Sequence, residues 1–188
     1  MANNINSFSV KVATLPLIKV TKDFLALVFF TATYIKVMLH YIDEPEYKGY
    51  LHCLKTKKKD CILCQAGRGP QEMFMLPVYN DVADGFGILA VPNNKNIRGL
   101  KSQIDRNIND STPVGLCIRK DTPFTYAVQK YDISQSSFDD EGADEIMEKI
   151  EEKYLNVKNC FTRYSEKQLS HIQSIKRMND IMTGGRAR

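Results

Sequence analysis

With 188 residues, 43% of them hydrophobic and 26% charged, the chain has the size and composition of one ordinary globular domain and not those of a disordered tail. Its longest apolar run, residues 24–30, is far shorter than the ~20 residues a bilayer span needs. It is closely flanked by Lys22, Asp23 and Lys36, so it is expected to be a buried strand or helix, with no membrane as partner. Residues 1–7 are polar and carry neither a basic start nor an apolar core. A secretory signal is therefore not expected, the compartment should be a reducing cytoplasm, and disulfides are not the first reading of the five cysteines. A formal net charge of +4 permits a nucleic-acid partner without requiring one.

In chain order, short runs rich in β-branched and aromatic residues predict strands at 8–12, 34–38, 87–91, 114–118 and 125–128. Pro, Gly, Asn and Asp punctuate them, at Pro45, Gly49, 67–70, 80–85, 92–94 and 109–113. Many short strands closed by turns suggest a small barrel or sandwich. Beyond Ser137 the period changes. Ile146, Ile150, Tyr154 and Leu155 mark one helix, with an acidic first turn over 139–145, and Tyr164, Leu169, Ile172, Ile175 and Met178 mark a second, stopped by Gly184 and Gly185. The expected division is a β core over 1–137 and a helical segment over 138–188 packed on it. Lys and Arg outnumber Asp and Glu by 17 to 12 in residues 1–132 but not in 133–188, at 9 to 10, so the β-rich part is the basic part.

Four potential metal ligands crowd one stretch: His40, twelve residues, Cys53, seven residues, Cys61, two residues, Cys64. The Cys-x-x-Cys pair lets one turn present two sulfurs to a single ion, and with a third thiol and an imidazole the set matches closed, four-coordinate zinc. His52 adjoins Cys53 and competes with His40 for the fourth position; spacing does not choose between them. Cys117 and Cys160 lie in apolar stretches and read as core thiols. A redox dithiol at Cys61 and Cys64 lacks the alternating strand and helix context it would need. A zinc deaminase would carry His-x-Glu and Pro-Cys-x-x-Cys, whereas Asp60 stands at the proline position and neither His40 nor His52 has the glutamate. Four protein ligands leave no open position for water, so one structural zinc and no catalysis are expected.

Around these ligands rings and cations interleave. Unpaired nucleic acid is gripped by such a mixture, bases stacking on aromatic faces and phosphates drawn to a basic groove. Tyr34, Tyr47, Tyr50, Phe74, Phe124 and Tyr126 are the candidates to stack bases. Lys36, Lys48, Lys55, Lys57, Lys58, Lys59, Lys95, Arg98, Lys101, Arg119 and Lys130 are the candidates to line a phosphate path. No recognition helix of helix-turn-helix type is visible, and neither 67–70 nor 85–87 completes a nucleotide-binding loop. The rival reading is a zinc-ribbon module whose tyrosines form a protein interface. Single-stranded RNA is a variant of the main one, since stacking tolerates both sugars.

In its metal spacing the chain resembles the single-stranded DNA-binding proteins of T-even bacteriophages, helix-destabilising replication proteins with an OB-fold core. Their zinc loop has a histidine, a twelve-residue gap, a cysteine and then Cys-x-x-Cys; His40, Cys53, Cys61 and Cys64 fit it with the middle gap shortened, which favours His40 over His52. The likeness continues through 86–100, 112–114, 124–130 and the terminal helices. It implies a mainly β fold with C-terminal helices, an OB-fold barrel carrying a zinc-binding subdomain over 40–64. It further implies a non-catalytic role in DNA replication, recombination and repair in a bacterial or phage-infected cytoplasm, with single-stranded DNA, and other copies along it, as partners. Residues 1–7 lack the basic arm and the end of the chain lacks the acidic tail of that family, so its modes of cooperativity and of recruiting replication proteins are not implied.

Overall fold

The structure, a computed structural model, describes residues 15–44, 47–108, 112–151, 169, 172, 173 and 175–178. The strand expected at 8–12 and most of the second terminal helix lie outside them. The elements run β1 (Leu17–Ile18), β2 (Leu25–Phe29), β3 (Ile35–Glu44), β4 (Tyr47–His52), α1 (Ile62–Gln65), β5 (Gln71–Asn80), β6 (Gly85–Pro92), α2 (Leu100–Ile108), β7 (Val114–Thr122), β8 (Thr125–Tyr131), a 3₁₀ turn at Ile133–Gln135, and α3 (Asp140–Glu151). The fold is mainly β: one mixed, eight-stranded sheet that does not close on itself among the described residues. The apolar run at 24–30 is resolved as a strand, β2, buried from Leu27 to Phe29.

The hub is β5. Along one edge it pairs antiparallel with β6 from Met73↔Pro92 to Asn80↔Gly85. Its other edge is shared: 71–75 pair with β3, and 79–80 pair with β2. Pro77 lies between the two, where the ladder on that edge is interrupted and a missing N–H is tolerated. From β2 the sheet continues antiparallel to β7 and β8, while β1 lies parallel on β6. The two faces of β5 bury different cores, as the two-residue strand period requires. Leu76 and Val78 join Leu27, Phe29, Leu89, Val91, Leu116 and Ile118 under Leu100, Ile104 and Ile108, the apolar stripe of α2. Met73 and Met75 join Val37, Leu39 and Ile88 on the opposite face, with Tyr50 and Ile150 packed against them.

Strand β3 belongs to two cores. Val37 and Leu39 point into the core shared with β5, whereas Ile42 points the other way into a separate cluster with Leu51, Cys53, Cys61, Leu63, Leu169, Ile172 and Ile175. Leu39 and His40, adjacent and on opposite faces, are both fully buried. Residues past β4 and residues from the terminal segment therefore form one lobe around the far half of β3.

At the other end of the molecule, Phe30, Tyr79, Phe86 and Phe138 contact one another edge-on or stacked, with ring centroids 5.2–6.5 Å apart. These rings seat the entry to α3, whose N-cap is Asp139, accepting from the Gly142 N–H at 3.0 Å. Asp81 draws the chain after β8 to the same place by accepting from the Tyr131 hydroxyl at 2.6 Å and from the Ser136 hydroxyl.

Two sheet glycines leave no room for a side chain: at Gly87 an added Cβ would meet the Ile18 Cδ1 at 2.6 Å, and at Gly115 it would meet the Ile133 Cγ2 at 2.6 Å and the Tyr131 ring at 2.8 Å. Gly115→Ala is expected to cost about 1–3 kcal/mol through overpacking, lowering the thermal midpoint by roughly 3–10 °C. Gly69→Ala, with nothing within 4 Å of its Cβ position, should leave the midpoint unchanged. Calorimetry of the two variants measures the difference.

Candidate metal centre and nucleic-acid interface

His40 of β3, Cys53 just after β4, Cys61 just before α1 and Cys64 within α1 bring four ligand atoms within 4.8 Å of one another. The Cys61 Sγ lies 3.5 Å from the His40 Nε2, the Cys64 Sγ 3.8 Å from the same nitrogen, and the Cys53 and Cys64 sulfurs are 3.7 Å apart. A disulfide would need ~2.0 Å between sulfurs, so these are free thiols. The edges of a tetrahedron built on Zn–S of ~2.3 Å and Zn–N of ~2.0 Å are about 3.8 Å for S···S and about 3.5 Å for S···N. Three of the six ligand distances match those edges and all six are within 4.8 Å, so the four side chains are close enough to hold one metal ion.

Local structure explains the gathering. Residues 61–64 supply two sulfurs because α1 turns at once, and α1 stops because Gly67 takes φ 77°, a left-handed conformation that glycine adopts without penalty. The Gly67 N–H donates to the Cys64 carbonyl at 3.1 Å and the Arg68 N–H to the Leu63 carbonyl at 2.9 Å, the paired bonds of a Schellman ending. Arg68 is anchored by an ion pair of 2.7 Å with Glu44, whose side chain is nearly buried. It also brings its backbone to the imidazole of His40. The His40 Nδ1 is the one buried side-chain nitrogen or oxygen without a hydrogen-bond partner among the described residues.

Burial holds His40 below the usual imidazole range, opposed by the Arg68 backbone, which keeps the ring in its neutral, ligating form. Burial first, then the adjacent Cys53 sulfur, push the Cys64 thiol up to about 12. Thiolates crowded in a buried pocket need a cation to offset them. His52, the competing ligand, pairs across from Leu39 in β4 and is not part of the cluster.

The ligands also shape a cationic loop. Between Cys53 and Cys61, the Thr56 hydroxyl accepts from the N–H groups of Lys58 and Lys59 at 3.3 and 3.0 Å, and the Thr56 N–H donates to the Lys59 carbonyl at 2.8 Å. This tight turn exposes Lys57, Lys58 and Lys59. Lys55 makes an ion pair with Asp60 at 3.1 Å. Beside the turn, Lys36, Met38, His52, Cys53, Lys55 and Pro70 line a groove of about 340 Å³.

Three ring and cation candidates from distant segments meet. Tyr34 and Phe74 pack edge to face at 5.5 Å, and the Lys101 ammonium sits 4.6 Å from the Tyr34 ring and 5.4 Å from that of Phe74, within cation–π range. Lys36 lies directly across from Phe74 in the β3–β5 ladder, which places it on the same face. Tyr126 packs on the same core as Tyr34 and Phe74, and its N–H donates to the Arg98 carbonyl at 3.0 Å. Burial, then Tyr50, raise the Tyr126 phenol.

Other candidates lie elsewhere. Tyr47 and Lys48 are on the far end of the β3–β4 hairpin, where Lys48 pairs with Asp43. Asp43 is seven positions along the strand from Lys36, roughly 23 Å. Tyr50, by contrast, packs on Tyr41 at 5.1 Å and stands near enough to Tyr126 to raise its phenol. Arg119 is on the outer side of β7, over the exposed Phe24 ring and paired with Asp121. Lys120, not Arg119, is opposite Tyr126 and shares its face. Phe124 is 66% exposed at the β7–β8 turn, Lys130 lies six positions along β8, and Lys95 is exposed between β6 and α2.

Sequence reading missed Asp105 and Glu72. The Tyr34 hydroxyl donates to Asp105 Oδ1 at 2.8 Å, and Lys101 reaches Asp105 Oδ2 at 2.6 Å; Glu72 pairs with Lys36. The i, i+4, i+8 stripe of Leu100, Ile104 and Ile108 was the signal that would have revealed α2, and with it the i, i+4 neighbours Lys101 and Asp105.

No protein-family model, curated protein or solved structure matches the chain significantly. Among the described residues no helix is long and apolar enough to cross a membrane.

Protein purified without chelator is expected to carry about one metal ion per chain. Cys61→Ser or Cys64→Ser should abolish stoichiometric binding and lower stability by several kcal/mol, on the order expected when metal binding is coupled to folding. His52→Ala should leave metal content intact. Elemental analysis with thermal melts of the three variants reads this out.

Proposed function

We propose that the chain is a zinc-stabilised, non-catalytic protein that binds single-stranded DNA with little sequence preference, on a sheet of OB type. The observation that carries the reading is the meeting of Tyr34, Phe74 and Lys101 from three segments, beside a groove reached by Lys36 and Lys55. Rings offer stacking to any base, worth about 1–3 kcal/mol each, and cations collect phosphates regardless of sequence. The soft donor set of one imidazole and three thiols suits zinc, and four protein ligands make the ion structural. Its task would be to hold the turn of Lys57, Lys58 and Lys59 in place, since Cys53 and Cys61 bracket that turn.

Three of the cations nearby are matched by carboxylates, in Lys36–Glu72, Lys55–Asp60 and Lys101–Asp105. The exposed Lys55–Asp60 pair contributes little to stability, and the other two keep one partner partly exposed, within reach of a polyanion. An OB-type body is supported by the shared strand β5, which switches partners midway, and by α2 lying across one end of the larger core.

A fluorescence titration of oligo(dT) should give an affinity that falls with salt at a log–log slope near −3.5 if about five phosphates are engaged, taking about −0.7 per phosphate. Lys57→Ala with Lys58→Ala should make that slope shallower by up to about 1.4. Unlabelled duplex should compete poorly. Equal competition by duplex, or no binding of either, would replace this reading with a protein-interaction module presenting the exposed Tyr41 and Phe124; preference for an RNA oligomer would change only the sugar.

A further inference from the structure

The pair of rings at Tyr34 and Phe74 is flanked by two cations, and each cation is already held by a carboxylate of the chain. Lys101 lies over both rings and bonds Asp105 at 2.6 Å, and the same carboxylate accepts from the Tyr34 hydroxyl at 2.8 Å. Lys36, across the ladder from Phe74, pairs with Glu72, which also accepts from the Asn93 amide at 2.7 Å. Both carboxylates have a second partner and therefore a fixed position. Asp105 thus holds the cation that lies over the rings, and Glu72 holds the cation across the ladder from Phe74.

We propose that Asp105 and Glu72 are internal occupants of the phosphate positions, so that nucleic acid binds at this ring pair by exchanging phosphate for carboxylate on Lys101 and Lys36. Resting on the single-strand reading above, this adds a regulating feature of the same site. The chemistry is simple substitution of one anion for another. A carboxylate and a phosphate oxygen accept the same ammonium hydrogens, and the incoming chain must offset the local negative charge that remains. Asp105 has a second role as a positioning residue, because its bond to Tyr34 fixes the ring that Lys101 covers. The consequence is a site that rejects isolated phosphate or short fragments yet accepts a chain whose stacked bases bring two phosphates together. Such a site keeps its rings from adhering to stray anions.

Asp105→Asn retains an acceptor for the Tyr34 hydroxyl but removes the charge, and Glu72→Gln does the same at Lys36. Each is expected to tighten binding of an oligo(dT) of about 16 nucleotides roughly two- to fivefold at low salt. Each should leave the salt slope unchanged, since Lys101 and Lys36 reach phosphate with or without the carboxylate charge. Lys101→Gln added to Asp105→Asn should erase the gain. Thermal melts establish that each variant is folded, and Glu72→Gln reads the same exchange should Asp105→Asn fail to fold. Unchanged or weakened affinity in the folded variants, or a slope steepened by about 0.7 because the lysines reach phosphate only once the carboxylate is neutralised, would overturn the exchange while leaving the single-strand reading intact. Absence of binding by the wild-type chain would remove both.

Discussion

Four ligand atoms within 4.8 Å connect pieces of chain that have little else to hold them. The helix α1 is four residues long, far below the length at which a helix persists in water, and the loop before it is a run of exposed polar residues. What fixes them is a buried imidazole on a long strand, three thiols around it and the small apolar cluster of Ile42, Leu51, Leu63, Leu169, Ile172 and Ile175 behind. That cluster is small for an independent core. The donor set and this cluster together join the lobe to β3, and the lobe carries the lysine turn and one wall of the groove.

Charge on this protein is arranged in couples more than in fields. Lys36, Lys48, Lys55, Arg68, Lys101 and Arg119 each have an acidic neighbour within ion-pair range. The Lys48–Asp43 and Lys55–Asp60 pairs are exposed on both sides and contribute little to stability, but the Arg68–Glu44 pair differs because the carboxylate is 7% exposed. Breaking it would strand a charge beside the metal ligands, which costs far more than losing a surface pair. The same chemistry thus has two uses: near the ligands it braces, and near the rings it moderates.

Much of the β framework was legible. The runs at 34–38, 87–91, 114–118 and 125–128 fall in β3, β6, β7 and β8, since β-branched and aromatic residues between turn formers leave few other options. The central strand was not, because Pro77 sits in the middle of β5 and prolines argue against inner strands; only the change of partner at that point makes room for it. Strand β4 was hidden by Gly49 and by turn-like residues on both sides. The four ligands could be read from spacing, while the choice between His40 and His52 depended on which of two β residues faces inward, a matter of register. The ring and cation face was legible only as a list of types. Which members share a surface follows from pairings such as Lys36↔Phe74 and Lys120↔Tyr126, and no pattern along the chain encodes those.

Leu39 and His40 occupy consecutive positions and are both fully enclosed, one by each of two separate cores. A strand gripped on both sides has no latitude in register: inserting or deleting a single residue between Lys36 and Ile42 would rotate every side chain beyond it by half a turn, driving Asp43 inward and the imidazole out. Evolutionary change in length must then fall in the exposed turn between Cys53 and Cys61 or at the hairpin tip. There, loops can grow or shrink at slight entropic cost while the frame stays as it is.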